Sequence, residues 1–270
     1  MLNPANKKNN LEILISTTNK INLDFINLIF FENKKYNYPI LIVNQSPKHL
    51  NSRKPNVKVI NSDTKGLAVS RNIAIKNAAN TYCLFADDDI IYKHNFYEII
   101  MTEFSNYPKA DIITFRMEDK QGNPFKNYTD IRNHNKKSLR DVNSVVIAFK
   151  KDSIVKKNLE FNPLFGLGSI FPTGDEYIFL MECLDKGLNI ISSPKIILSH
   201  DSKSSGKMAY TDENIYARAA IFYKFFGYLA YFKLIHHIYL LKKNNMINSN
   251  QLVSKFLIGV SGINKFKSIK

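Results

Sequence analysis

Short apolar runs, each stopped by small or polar residues, alternate with stretches of helical spacing through the first hundred residues. "LEILIST" (11–17) ends on polar Ser16 and Thr17 and reads as a buried strand. "DFINLIFFENKK" follows with helical spacing and closes on cations. "YPILIVNQSP" predicts a second strand, Ile40 to Val43, stopping at Asn44 and Gln45 before a proline turn. "NVKVINS" gives a third strand, "GLAVSRNIAIKNAAN" a helix, "TYCLFADDD" a fourth strand, and His94 to Ser105 a further helix. Strands alternating with helices predict parallel crossover units in an α/β sheet.

The second half is less regular. "DIITFRM" (111–117) predicts a strand, and residues 118–141 then show no periodicity, the mark of a functional loop or a disordered one. A strand resumes at "SVVIAFKKDSI". The three glycines of "FGLGSIFPTG" predict a loop before "DEYIFLMECLDKG", a helix begun by acids and stopped at Gly187. "LNIISSPKIILSH" reads as two short strands broken by Pro194, the second ending at His200, and "DSKSSGK" as a flexible loop. From Glu213 to Lys243 the chain is helical and aromatic. Phe222, Phe225, Phe226, Leu229 and Phe232 recur there at helical spacing, with Lys224, Lys233, Lys242 and Lys243 among or after them. That pattern fits a helix packed on protein or an interfacial helix meeting anionic lipid, and charge interrupts it too often for a membrane span.

In open α/β sheets ligands bind beyond the carboxyl ends of the strands. Ser16 and Thr17, Asn44 and Gln45, and Asp87-Asp88-Asp89 all fall at such ends and predict one pocket. Three adjacent carboxylates repel one another unless a cation joins them. An Asp-x-Asp pair suits Mg²⁺ or Mn²⁺, with phosphate oxygens completing the coordination. The plain alternative is an acidic turn in water. A phosphatase with an aspartyl nucleophile also carries Asp-x-Asp, but on its first strand and with Thr or Val four residues on; here the strand is the fourth and that residue is Ile91.

Composition narrows the classes. The chain has 38 Lys+Arg against 23 Asp+Glu, a net +15, which favours anionic partners or merely solvates the surface. The cations scatter instead of clustering on one binding element, so no nucleic acid partner is expected. Two cysteines exclude a disulfide framework and fit a reducing compartment. The polar start "MLNPANKKNN" lacks a signal-type apolar region, and no segment offers the roughly 18 apolar residues of a spanning helix. The expectation is a cytoplasmic protein, peripheral at the inner face of the cell membrane.

Three motifs now carry a resemblance. "KGLAVSRNIAIKNAANTYCLFADDDIIY" resembles the Gly-x-x-x-Ala-Arg-Asn helix and Asp-x-Asp strand of family 2 nucleotide-sugar glycosyltransferases. "GDEYIFLMECLDKG", Gly174 to Gly187, resembles that family's Gly-Glu-Asp helix, and "ILSH" its late histidine. The resemblance spans roughly residues 11–205. It implies the GT-A fold, a Rossmann-like, mostly parallel sheet flanked by helices, over 1–205. The aromatic helical pattern beyond it gives a C-terminal helical region over 206–270 that associates with membrane or oligomerises.

The resemblance also implies an inverting, metal-dependent transferase, a hexosyltransferase of the bacterial surface-glycan type, using Mn²⁺ or Mg²⁺. Its donor would be a UDP-sugar and its acceptor a glycan or lipid-linked glycan of capsule, lipopolysaccharide or exopolysaccharide. An anionic membrane surface and a homo-oligomer partner stay open. Asp87 and Asp88 match the donor-binding part of the acidic motif, Asp89 the metal ligand, and His200 the late histidine beside it. Arg71, Ser16, Thr17, Asn44 and Gln45 match donor-facing positions. Glu176 matches the general base and Asp175 its acidic neighbour.

Three departures stand out: Asn44-Gln45 replaces Asp-Asp, Asp175-Glu176 inverts Glu-Asp, and Glu182 replaces a later arginine. The competing readings are a metal-dependent nucleotidyltransferase, which would need a glycine-rich lysine loop after its first strand, and a non-catalytic basic protein binding nucleic acid or carbohydrate.

Overall fold

The computed structural model describes residues 10–33, 36–201 and 209–269. They form two compact units: residues up to 65 with 69–161 and 179–202, and residues 66–68 with 162–178 and the C-terminal region.

The first unit is built on β1 (Leu11–Thr17), α1 (Phe25–Ile29), β2 (Ile40–Asn44), β3 (Val57–Asn61), α2 (Leu67–Asn77) from Val69 on, β4 (Tyr82–Asp87), β5 (Ile91–Tyr92), α3 (Phe96–Asn106), β6 (Ile112–Glu118), β7 (Ile147–Lys150), α4 (Lys151–Lys156), α5 (Asp175–Asp185) from Phe179 on, and β8 (Ile190–Ser199). Among the described residues one eight-stranded sheet has the order β3-β2-β1-β4-β7-β6-β8-β5. β3, β2, β1 and β4 run parallel, as the alternating pattern predicted. β7 turns the direction, pairing antiparallel with both β4 and β6, while β6 and β8 are again parallel. Both faces of β1 and β2 are buried along their whole length, which explains why their sequences read as mostly apolar runs with polar ends instead of alternating ones.

Several expectations change in detail. The first helix stops at Ile29 because Phe30 turns into an aromatic cluster with Tyr36, Tyr92 and Phe96, while the Asn33 amide donates to the carbonyls of Tyr92 and Lys93. Pro194 does not divide the eighth strand. β8 runs through it, and the pairing with β6 shifts register between Thr114 and Arg116, a bulge that absorbs the missing N–H. The aperiodic stretch after β6 is pinned side chain by side chain. Tyr128 Oη both accepts from the Met117 N–H and donates to its carbonyl at 2.9 Å, and the His134 ring bridges Thr114 Oγ1 (2.7 Å) and Ser138 Oγ (3.0 Å). Cys83 and Cys183 are free and buried, and burial raises both thiols. The expected flexible loop, 201–207, lies outside the described residues beyond Asp201, as does the polar start before Asn10.

The second unit gathers α6 (Asp212–Phe226), α7 (Ala230–Lys243) and α8 (Leu252–Ile269) with the glycine loop. Thr211 caps α6 by accepting the Asn214 N–H, and Gly227, at φ 55°, ends it. The single helical run expected over 213–243 is thus two helices. Ile215, Ala219, Leu234, Ile238 and Ile263 form one core, and Phe165, Phe171, Ile178, Ala217 and Phe266 another. Gly262 lets α8 approach α6 closely: a Cβ there would sit 2.2 Å from the Tyr216 carbonyl oxygen. Among the described residues no helix is long and apolar enough to cross a membrane.

Candidate active site

Strand register builds the rim. Ser16 lies opposite Asp87, Thr17 opposite Asn44, and Asn44 opposite Asn61, so the polar ends of β4, β1, β2 and β3 stand side by side. β4 ends at Asp87, and Asp88 and Asp89 occupy the turn into β5. Ile91 and Tyr92 then pair with Ser199 and Leu198, which brings the residue after β8, His200, to that turn. Sequence reading placed both groups at strand ends but had no means of seeing β5, a two-residue strand.

Each aspartate of the triplet has a different partner. Asp87 lies 3.3 Å from Arg71 Nη2, whose guanidinium also donates to Ser144 Oγ at 2.6 Å. Arg71 is 2 % exposed, between the rings of Phe161 and Phe85. A buried cation with aromatic and carboxylate neighbours is a fixed fork for orienting Asp87. Asp88 accepts from the Thr17 hydroxyl and pairs with Lys20 Nζ at 3.2 Å. Asp89 faces His200 Nε2 at 3.4 Å, and the same imidazole meets the Asp201 carbonyl through Nδ1 at 2.7 Å. That contact holds the Asp89 carboxyl below its ordinary range and raises the His200 imidazole.

Two more rim residues divide by role. The Asn44 amide donates to the Lys48 carbonyl and Asn61 Oδ1, both at 2.8 Å, and accepts from the Ser46 N–H, so it braces the loop after β2. Gln45 is half-buried and reaches Thr64 Oγ1 at 3.1 Å, joining the loops after β2 and β3. Ser16 Oγ accepts from Ser70 Oγ of α2 at 2.8 Å. The structure therefore brings together Ser16, Thr17, Asn44, Gln45, Arg71, Asp87, Asp88, Asp89 and His200, all in the first unit. It adds Lys20, Ser144 and Thr64. Lys20 was legible as a cation three residues past a strand end; Ser144 opens the stretch read as a strand, and nothing in that pattern pointed to the turn before β7 that carries its hydroxyl to Arg71.

Among the described residues no three His, Cys, Asp or Glu side chains lie close enough to hold a metal by themselves. Asp89 with His200 supplies two donors at one turn, a carboxylate oxygen and an imidazole nitrogen, a set that fits part of the shell of a divalent cation.

Asp175 and Glu176 belong to the second unit, in the first turn of α5, where acids favour the helix dipole. They are not equivalent. Asp175 is 4 % exposed and packs on Gly166, where a Cβ would meet its Cγ at 2.9 Å; Glu176 is half-buried. Gly174, at φ 84°, leaves room for Ile221 Cδ1 just 2.3 Å from where its own Cβ would stand.

No curated protein matches the chain. Solved structures with similar folds include S. aureus TarS 1-349 in complex with UDP-GlcNAc (TM-score 0.57, 13% identity, 92% of this chain and 71% of that one). Another is the mannosyltransferase PcManGT from Pyrobaculum calidifontis in complex with GDP-Man and Mn²⁺ (TM-score 0.56, 12% identity, 93% and 79%). Against the longer TarS structure the chain spans 39% of the length. The fold is GT-A, with a C-terminal helical region. The profile of "Glycosyl transferase family 2" matches residues 6–161, more than half of the sequence, and the chain belongs to that family.

Proposed function

We propose that the protein is an inverting glycosyltransferase that moves a hexose from a nucleotide-diphospho-sugar, a UDP-sugar, to a hydroxyl of a growing surface glycan. The observation that carries this reading is the Asp87–Asp89 turn with its three separate partners, Arg71, Lys20 and His200. Carboxylates held by basic side chains at a strand-end rim suit a ligand that brings both negative phosphates and its own counter-ion. Similar folds that bind UDP-GlcNAc and GDP-Man support a nucleotide sugar as donor.

A divalent cation, Mn²⁺ or Mg²⁺, held by Asp89 and His200 would neutralise the charge that grows on the leaving diphosphate. Arg71 holds Asp87 in one orientation toward the donor ribose and diphosphate. Lys20, now on Asp88, is a flexible cation within reach of the same acids and can turn to phosphate. Glu176 accepts the proton from the acceptor hydroxyl as that oxygen bonds to the anomeric carbon. The bond from that carbon to the diphosphate breaks, and the diphosphate departs with its electron pair. One displacement inverts the carbon. Asp175 serves the helix start and the packing on Gly166.

The test is release of nucleoside diphosphate from a panel of UDP- and GDP-sugars, with and without Mn²⁺, Mg²⁺ or chelator, and saturation-transfer NMR on the donors. Turnover of one UDP-sugar that stops in chelator is expected. No binding or turnover of any nucleotide sugar sinks the proposal, and turnover of a GDP-sugar alone corrects its donor.

A further inference from the structure

α7 has two apolar sides. Ala230, Leu234, Ile238 and Leu241 enter the core shared with α6 and α8. Phe232, Ile235 and Tyr239, exposed by 72%, 53% and 56%, share another face, within an arc of about 60° at ~100° per residue. On the same wheel Lys242 and Lys243 border that arc, one on each side, about 20° away. Between α7 and α8 the surface dips into an apolar groove lined by Ile235, Tyr239, Leu252, Val253 and Phe256, with Lys242 at its edge. Val253 and Leu257 of α8 extend the exposed apolar surface. A contiguous patch of this kind, rimmed by polar residues, marks a docking site.

Charge identifies what docks. All 23 acidic residues of the chain precede Asn214, whereas nine lysines and arginines follow it. A second copy would bring the same cations against these, and like charges across an interface oppose association. A bilayer with anionic headgroups offers apolar depth for Phe232, Ile235 and Tyr239 and negative charge for Lys242 and Lys243 at one height. We infer that the α7–α8 face docks onto an anionic lipid bilayer, lying in its headgroup layer without crossing it. This inference is independent of the donor reaction.

The test uses the full chain in flotation with phosphatidylcholine vesicles, with or without phosphatidylglycerol at about a third of the lipid. Binding to the anionic vesicles at low salt, weakening as salt rises, is expected, with little binding to phosphatidylcholine alone. Each basic residue near an anionic leaflet is worth roughly five-fold in partitioning, so K242E/K243E should lose at least ~10-fold. F232S/I235S should lose a similar factor while keeping the far-UV circular dichroism of the parent. The chain contains no tryptophan, so Phe232→Trp, at an exposed position, gives a lone reporter whose emission should shift to the blue on anionic vesicles. Absence of binding at low salt, an unshifted Phe232→Trp spectrum, or undiminished binding of F232S/I235S overturns the inference. A dimer by light scattering that F232S/I235S turns into a monomer, with no vesicle binding by the parent, overturns it in favour of a second copy.

Discussion

The rim of the sheet and the C-terminal helices treat charge in opposite ways. On the rim each acid meets a basic side chain of its own: Asp87 with Arg71, Asp88 with Lys20, Asp89 with the His200 imidazole. In the helices the cations outnumber the acids, and the Lys255–Asp212 pair at 2.6 Å uses one of the last two carboxylates before an acid-free stretch. Pairs closed on themselves can be reopened by a ligand that brings both signs, whereas an uncompensated surface can only be completed from outside. Substitutions on the rim should therefore change chemistry, and substitutions on the helix surface should change location.

The largest expected effect lies within the second unit, which holds both Glu176 and the acid-free helices. Glu176→Gln keeps the size and hydrogen bonding of the side chain but cannot take a proton, and should lower the turnover number ~10²–10⁴-fold with donor affinity nearly unchanged. Asp175→Asn should be far milder, since an amide also serves a helix start. Steady-state kinetics on both variants decides it; a dead Asp175→Asn beside an active Glu176→Gln would reverse the roles.

Asp89→Ala comes next, with an expected loss of ~10²–10³-fold, the usual worth of one electrostatic contact to developing charge. His200→Ala should raise the metal concentration needed for half-maximal rate, measured by titrating Mn²⁺. If F232S/I235S lowered donor turnover as far as Asp89→Ala does, the separation between rim and helix surface would fail.

How much of this could be read from the residues follows from which interactions decide each piece. The parallel half of the sheet was legible because strands buried on both faces have largely apolar middles and reserve polar residues for their ends, as β1, β2 and β4 do apart from Glu12, which accepts from the Ala79 and Asn80 N–H groups. The Asp-x-Asp turn was legible because three carboxylates at such a strand end have no packing reason to be there. The antiparallel half was not: β5 is two residues long, and β8 hides its continuity behind Pro194, which a bulge accommodates. Nor was α8. Gly259 and Gly262 lower its intrinsic propensity, and only the closeness of Leu234 and Tyr216 explains them. Ser144 reaches Arg71 from a short turn ahead of β7, inside a stretch that reads only as strand.

Those glycines give the third prediction, on stability alone. At Gly262 the obstacle to a Cβ is a backbone carbonyl, which cannot swing aside as a side chain does. Gly262→Ala should cost ~1–3 kcal/mol in urea unfolding, the range for overpacking. Gly122, beside which a Cβ meets nothing within 4 Å, controls for position, although its φ of 84° strains any replacement. A neutral Gly262→Ala would mean that α8 does not hold to α6 this closely.

The smallest effect compares two histidines, one in each unit. Burial lowers both His134 and His237 from the ordinary 6.5 to about 4. His134 is satisfied at both nitrogens by Thr114 and Ser138, whereas His237 Nε2 finds no partner among the described residues; its ring meets the edge of Phe222, with Arg218 and His236 as its charged and titratable neighbours. A histidine whose folded value is depressed stays neutral in the fold while the unfolded chain takes up a proton. Its contribution is therefore complete above pH 6.5 and is lost as pH falls toward 4, with a slope of up to about 1.4 kcal/mol per pH unit for each group. His237→Leu removes one such slope together with an unsatisfied polar atom, so stability at pH 7.5 should change by less than ~1 kcal/mol or rise, while acid sensitivity falls. His134→Phe removes the same slope but strips Thr114 and Ser138 of a partner, and should cost ~1–3 kcal/mol at pH 7.5. Urea midpoints at pH 7.5 and 5 separate the two. A His237→Leu variant as acid-sensitive as the parent would show that this imidazole is not held neutral by its burial.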